Sequence, residues 1–431
     1  MNLEKDLIYE AMSRKNIKTL HELASILGIT KNQLSVMLSD KFNPFKSNVQ
    51  KLCDVLEVSP FDLIEKQEAF VPYNSPVDLE IDTLELFAGA GGLALGLEQA
   101  GLNTQAYIEI DKKCCDTLQY NRPEWNVINA DVSTIDFSQY KGKVSVVTGG
   151  FPCQAFSYAG KKLGFEDTRG TLFFEYARCI KEVQPLIFIA ENVRGLISHD
   201  KGRTLNAMLD ILSNIGEGVK YNVKYKLLNA VNYGVPQKRE RILIVGVQEG
   251  INFEFPTPDK HIKTLRDALK DVPESEGQQY SPKRKKVLEL VPPGGCWRNL
   301  PPDIQKDFMG KSFYSGGGRT GMARRISWDE PSLTLTCSPS QKQTERCHPD
   351  KTRPFTVREY ARIQTFPDEW EFQGTISDKY KQIGNAVPVE LGRRIGLSIK
   401  QSLIKKHLGL TLHQAQIEVA ATLSQESFQL D

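Results

Sequence analysis

The sequence has no apolar run approaching the roughly 20 residues that cross a bilayer, and its opening Met-Asn-Leu-Glu-Lys-Asp lacks a basic segment followed by an apolar one. Neither a membrane span nor a cleaved leader is expected, and a cytoplasmic location is. Cysteine is sparse: eight in 431 residues, with no Cys-x-x-Cys pair, so neither a disulfide framework nor a zinc site is expected, nor any other metal. The six histidines are scattered. A dominant charge is lacking too. With 55 Lys plus Arg against 53 Asp plus Glu the net charge is only +2, which excludes a disordered polyelectrolyte. What remains is a globular composition, 40% apolar and 25% charged, long enough for two or three folding units of roughly 100–200 residues each.

Residues 1–66 pattern as a run of short helices. Leu3, Leu7, Ile8, Ala11 and Met12 share one face; Leu20, Leu23, Ala24 and Leu27 form the next stripe, closed by Gly28. Thr30 with Gln33 three residues on is a capping box that opens a helix bearing Leu34, Met37 and Leu38. The arrangement of Ala24, Gly28, Ile29 and Leu34 resembles the helix-turn-helix of the Cro/C1-like phage repressors, which implies a DNA-binding domain over residues 1–66. A helical bundle that binds nothing fits the same residues, because the segment has no clear excess of Lys and Arg. Pro72, Asn74, Ser75 and Pro76 mark residues 67–81 as a linker.

Beyond the linker, short apolar runs alternate with amphipathic stretches. Strands are expected at 83–87, 104–110, 127–129, 144–148, 186–190, 224–228 and 241–247, with helices after most of them. Such alternation predicts an α/β fold: an open, largely parallel sheet covered on both faces, with ligands gathered at the carboxyl ends of its strands. From about residue 259 the rhythm is lost in a stretch rich in Pro, Gly and turn residues. Residues 256–346 hold 16 Lys plus Arg against 11 Asp plus Glu, a local +5 that favours a polyanion-facing module. Helical patterning returns at 357–366 and from about Val389. The expected layout is a main domain at 82–258 and 373–402, a smaller irregular domain at 259–372, and a tail at 403–431.

The first expected strand runs into Phe87-Ala88-Gly89-Ala90-Gly91-Gly92, a glycine turn that lets a ligand approach the backbone. Glu109, about twenty residues on at the end of the second strand, suits a ribose in NAD or in S-adenosylmethionine alike. Asp131, ending the third, suits an adenine contact or an exposed helix N-cap. The fourth strand ends Thr148-Gly149-Gly150-Phe151-Pro152-Cys153-Gln154, which places a thiol at the carboxyl edge of the sheet. The next ends Ala190-Glu191-Asn192-Val193, so a cysteine and a carboxyl group come to adjacent strand ends. Gln237-Lys238-Arg239-Glu240-Arg241 puts two arginines at the start of another strand. A dehydrogenase reading leaves Cys153, Glu191 and Arg241 unexplained.

At these residues the chain resembles the cytosine-5 DNA methyltransferases of bacterial restriction-modification systems. The family's ordered motifs stand here as Phe87–Gly92, the Pro152-Cys153-Gln154 loop running on to Leu172, Glu191-Asn192-Val193, the Gln237 to Arg241 stretch, Arg358-Glu359-Tyr360-Ala361-Arg362-Ile363-Gln364-Thr365-Phe366-Pro367, and Gln382-Ile383-Gly384-Asn385-Ala386-Val387-Pro388. The resemblance spans about residues 82–400 and implies a Rossmann-like sheet that uses S-adenosylmethionine, releases S-adenosylhomocysteine and needs no metal. It also implies roles. Cys153 would be the nucleophile toward carbon 6 of cytosine, Glu191 the acid at ring nitrogen 3, Arg241 the group at the base carbonyl, and Arg239 a catalytic neighbour. Phe87, Gly89, Gly91, Gly92, Glu109, Asp131, Pro152, Leu172 and Asn385 would hold the cofactor.

An unperturbed thiol with pKa of about 8.5 is mostly protonated at neutral pH, so Cys153 needs a basic pocket. The target base must leave the stack, and residues 152–171, with Gly160, Gly164 and Gly170, are expected to close over it. The stretch 259–346 sits where the family carries its target-recognition domain. Gln154, Arg319 and Thr320 are candidate DNA contacts, the last two in a Gly316 to Gly321 turn, and Lys283-Arg284-Lys285-Lys286 is a phosphate-facing or merely solvated run. The partners expected are duplex DNA and, functionally, a restriction endonuclease. The enzyme is expected to act as a monomer on its site, with dimerisation through the N-terminal domain as an option. A transfer-RNA methyltransferase and a regulator with a vestigial catalytic domain are the competing classes.

Overall fold

The computed structural model describes Met12, Ile17, Leu34 and residues 19–27, 79–152, 172–215, 218–314 and 321–407. The chain divides into two compact units, Met1–Pro72 and Tyr73–Asp431. In the first, helix α1 (Leu20–Leu27) opens at Thr19, whose Oγ1 accepts the Glu22 N–H at 3.2 Å. Leu23, Ala24 and Leu27 are buried along the expected stripe, as are Met12, Ile17 and Leu34. The helix expected after Thr30 otherwise lies outside the described residues.

The second unit is built on seven strands: β1 (Asp82–Leu86), β2 (Asn103–Glu109), β3 (Val127–Asn129), β4 (Val146–Gly149), β5 (Ile187–Val193), β6 (Tyr221–Asn229) and, after the two-residue β7 (Gln237–Lys238), β8 (Glu240–Gln248). Their order is β3-β2-β1-β4-β5-β8-β6, while β7 pairs separately with β9 (Ser332–Leu333). The pairs among β1 to β5 are parallel, and β8 runs antiparallel to both β5 and β6. The short link from β6 to β8 explains the reversal, since a parallel return needs a crossover of a dozen or more residues.

Helices cover both faces, as the continuous apolar strands require. On one, Leu84, Leu86, Val147, Phe188 and Ile244 pack against α4 (Leu172–Val183) and α5 (Arg203–Ser213) through Phe173, Tyr176, Leu205 and Met208. On the other, Val146, Ile187, Ile189 and Val245 meet Leu93 and Leu97 of α2 (Gly92–Gln99) and Leu391, Ile395 and Ile399 of α8 (Val389–His407). The α2–α8 crossing is glycine-lined. A Cβ at Gly96 would lie 2.5 Å from the Val389 carbonyl, and one at Gly396 would lie 2.6 Å from Ala100 Cβ.

Two expectations change. Residues 376–385, not assigned to a helix from the sequence, form α7 (Ile376–Asn385), opened by a Thr375–Asp378 capping box. The smaller domain expected over 259–372 is not separate throughout. Leu265, Leu269, Phe355, Phe366, Trp370 and helix α6 (Val357–Ile363) share one core with Ala88, Ala94, Tyr107 and, from α3 (Lys112–Asn121), Leu118. Among the described residues of this stretch, Tyr280, Leu288, Val291, Leu300, Ala323 and Cys347 form a cluster apart. Helical spacing of Val357, Tyr360 and Ala361 decides core membership there, not the loop-rich composition upstream.

Candidate active site

The turn after β1 is held in an uncommon backbone shape. Phe87 and Gly89 have φ of 57° and 55°, and Gly91 has φ of 88°. The left-handed region costs a residue with a Cβ about 1–2 kcal/mol, so Phe87 carries local strain. Glu109 fastens the turn: one carboxylate oxygen accepts the Gly89 N–H at 2.8 Å and the other the Asp111 N–H at 2.7 Å. Both oxygens keep acceptor capacity, aimed by main-chain donors.

The three glycines differ in purpose. A Cβ on Gly91 would meet Leu118 at 2.7 Å and Trp370 at 2.9 Å, and one on Gly92 would meet the Val387 carbonyl at 2.1 Å, so both are required by packing. Gly89 has nothing within 4 Å of that position. An open cradle over Gly89, a fixed carboxylate on Glu109 and the exposed Ile110 beside it fit a nucleoside with a ribose diol. The sequence signal of Ile110 is an apolar residue at a strand end between two acids, Glu109 and Asp111. Asp131 is exposed and caps a short 3-10 turn, its Oδ1 accepting the Ser133 N–H at 2.9 Å and the Ser133 hydroxyl at 2.8 Å. These bonds hold its carboxyl below the usual range. The cap is thus the contact observed. Pro152 is exposed three residues past β4, and Leu172 is half-buried at the first turn of α4.

On the other side of β4 stand Glu191 and Arg241. The β5–β8 register pairs Glu191 with Leu243 and Val193 with Arg241, so the two side chains are diagonal neighbours on one face. Arg241 Nε lies 2.6 Å from Glu191 Oε1, in a pair only 13% and 15% exposed. Arg241 Nη1 donates to the Glu240 carbonyl at 2.8 Å. A Cβ on Gly150 would sit 3.0 Å from Glu191 Oε2, so the glycine is what lets the carboxyl lie over the β4 end. Asn192, buried, donates to the Phe151 carbonyl at 2.8 Å and tethers the segment entering Pro152 to the β5 end.

Arg239, expected as a neighbour of the catalytic group, lies in the interior behind Arg241. It is 1% exposed and donates to the carbonyls of Leu335 at 3.2 Å, Gly384 at 3.0 Å and Asn385 at 3.4 Å. Burial, with the like charge of Arg241 behind it, brings its pKa down to about 9. It is sealed from solvent, with its Nη donors directed at main-chain carbonyls. Asn385, the last residue of α7, is exposed and accepts the Cys337 thiol at Oδ1 over 3.1 Å. The amides Gln237, Gln364 and Gln382, which stand in the sequence motifs, are buried, and each is hydrogen-bonded within the interior.

The cysteines Cys114, Cys115 and Cys179 are buried in helices, as expected. The basic stretch divides: Lys283, Lys285 and Lys286 are exposed, whereas Arg284 turns inward to Glu345 at 2.7 Å, and Arg325 and Arg346 are buried on carbonyls. Part of the local positive excess is therefore structural. Cys153, Gln154, Arg319 and Thr320, with the 152–171 segment beyond Pro152 and the glycine turn before Gly321, lie outside the described residues.

The strand order with its antiparallel β8, the glycine turn after β1 and the acid ending β2 define a Rossmann-like, S-adenosylmethionine-dependent methyltransferase class. Within it, the chain belongs to the C-5 cytosine-specific DNA methylase family, whose model matches residues 81–401, and is a DNA cytosine-5 methyltransferase. A Cro/C1-type helix-turn-helix DNA-binding domain matches residues 8–68. Similar proteins include the type II methyltransferase M.Sau96I of Staphylococcus aureus, 53% identical over 93% of this chain and 98% of its own length. Another is the type II methyltransferase M.Eco47II of Escherichia coli, 54% identical over 90% of this chain and 96% of its own. Among solved structures, a DNA modification methyltransferase encoded within an E. coli prophage superposes with a TM-score of 0.56 at 25% identity, covering 75% of this chain and 99% of its own.

Proposed function

We propose that the enzyme methylates carbon 5 of a cytosine swung out of a specific duplex DNA sequence, through a covalent bond to Cys153, and so protects host DNA from a cognate restriction endonuclease. The observation that carries this reading is the Glu191–Arg241 pair at the strand ends beside the Gly89–Glu109 cradle. S-adenosylmethionine supplies an electrophilic methyl group on a sulfonium. Glu109 takes its ribose hydroxyls, Phe87 the face of its adenine, Asp131 the adenine amine through Oδ2, Asn385 its methionine end, and Pro152 and Leu172 add apolar contact.

Carbon 5 of cytosine is a poor nucleophile until carbon 6 is attacked, and neither ring face is reachable in the stack. Extruding the base costs a few kcal/mol. The Cys153 thiolate adds to carbon 6, the 5,6 π pair shifts to form a 4,5 double bond, and the pair displaced onto nitrogen 3 takes the proton that Glu191 carries, which leaves an enamine nucleophilic at carbon 5. Arg241 already spends Nε on Glu191 and Nη1 on a carbonyl, so Nη2 remains for the base oxygen. After carbon 5 takes the methyl group and the donor departs as S-adenosylhomocysteine, a base removes the carbon 5 proton, the 5,6 double bond re-forms, the thiolate leaves and nitrogen 3 returns its proton to Glu191. The Asn192–Phe151 tether supports this assignment, because Cys153 follows Phe151 by two residues.

Bisulfite sequencing of DNA from cells expressing the protein tests activity and target together. Labelled methyl groups are expected in duplex DNA and not in transfer RNA, and a 5-fluorocytosine duplex is expected to become covalently attached. Label in transfer RNA alone overturns the reading. The helix-turn-helix match favours a second role, repression of the enzyme's own promoter. Footprints upstream of the gene that are identical with and without residues 1–66 would dismiss it.

A further inference from the structure

The last carbonyls of a helix have no partner within it. In α7 they are met by side chains from elsewhere. Gln364 Nε2 donates to the Ile383 carbonyl at 2.7 Å and the Ala386 carbonyl at 3.1 Å, while Arg239 takes those of Gly384 and Asn385. Gln237 completes the lattice, donating to Gln364 Oε1 at 2.8 Å and accepting the Leu335 N–H at 2.8 Å. Arg239 holds the Leu335 carbonyl, so both backbone groups of that residue are fixed. The segment after Leu335 lies so close to α7 that a Cβ on Gly384 would be 2.3 Å from the Thr336 carbonyl. From there Cys337 donates its thiol to Asn385 Oδ1. Asn385 is thereby held by backbone and side chain at once.

A guanidinium buried without a carboxylate is costly, and a helix C-terminus is where a cation recovers part of that cost. The five residues from Gln237 to Arg241 thus face two tasks: Arg241 meets Glu191, while Gln237 and Arg239 turn inward to the end of α7. We propose that Arg239 is a positioning residue for the methyl donor, aiming Asn385 through this side-chain cap and fixing it relative to the base-holding Arg241. The proposal rests on the reading that Asn385 meets the donor.

The full-length enzyme is assayed for KM of S-adenosylmethionine and of DNA, for S-adenosylhomocysteine affinity by calorimetry, and for the 5-fluorocytosine adduct. Arg239→Lys is expected to weaken both donor constants about tenfold, the scale of lost charge-assisted bonds, with DNA KM and adduct yield within about twofold of wild type. Asn385→Ala should act in the same direction, and the double variant should be no worse than the weaker single, because both changes act through one amide. Cys337→Val, which removes a single donor and leaves the cap intact, should weaken product binding several-fold, and Cys337→Ser should restore it. An Arg239→Lys enzyme with normal product affinity but little adduct would overturn the proposal, as would additive losses in the double variant. No effect of Asn385→Ala on product affinity would remove the underlying reading instead.

Discussion

Gly89 and Gly91 sit two positions apart in one turn, yet a methyl group would fare differently on each. At Gly91 it meets Leu118 and Trp370 inside 3 Å on a left-handed backbone. Gly91→Ala is therefore expected to lower stability by roughly 2–5 kcal/mol, from overpacking plus the left-handed penalty, read as a fall in melting temperature. Gly89→Ala meets no neighbour and should cost only about 1–2 kcal/mol, while filling the cradle and weakening S-adenosylhomocysteine binding measured by calorimetry. Equal melting temperatures for the two variants would contradict this division. Cys153→Ser is expected to abolish turnover and leave product affinity nearly unchanged, since it alters the nucleophile alone. The positions of the glycine motif, Glu109, Glu191 and Arg241 are legible in the sequence because each lies at or beside a strand terminus. That Gly91 and Gly92 serve packing is not, since the atoms they make room for belong in part to Trp370 and Val387, far along the chain. The same holds for Arg239, whose acceptors are main-chain carbonyls that carry no residue identity.

Among elements, strands were legible where apolar residues ran continuously, and the edges moved by one to a few positions. The direction of β8 was not marked by its own residues, because a strand buried on both faces reads alike in either sense; the brevity of its link to β6 held the information. Helix α7 is not marked by apolar periodicity although Thr375 and Asp378 form a capping box, since Lys379, Lys381 and Gln382 interrupt its apolar face. The α2–α8 crossing shows what spaced glycines accomplish together, letting two backbones approach so closely that a Cβ on Gly96 would lie 2.5 Å from the Val389 carbonyl oxygen and 2.6 Å from the Arg393 backbone nitrogen. Gly96→Ala is expected to push α8 outward and destabilise by roughly 1–3 kcal/mol. Urea unfolding with an unchanged slope and a lower midpoint would register it; an unchanged midpoint would mean that the helices slide apart freely.

For the whole molecule, stability and pH are linked through buried groups that do not take part in the reaction. Glu85, 1% exposed on β1 beneath α2, has one oxygen without a partner, and burial, with Glu109 adding repulsion, pushes its pKa up to about 8. Above the ordinary carboxylate pKa the unfolded chain releases this proton while the folded chain keeps it. The stability contributed by Glu85 is therefore full below about pH 4.5 and is lost as pH rises through about 8. His348 works in the opposite sense. Burial holds its pKa down at about 4 despite Glu359, so its contribution is present above pH 6.5 and lost as pH falls toward 4. Glu85→Gln is uncharged at every pH, so it separates the two. Its stability relative to wild type should rise by up to about 1.4 kcal/mol per pH unit across the window between the unfolded and folded Glu85 pKa values, then level off. The His348 contribution is common to both proteins and cancels in this difference. Urea denaturation of both proteins from pH 5 to pH 9 gives the comparison, and curves that run parallel throughout would show that Glu85 is not held neutral in the fold.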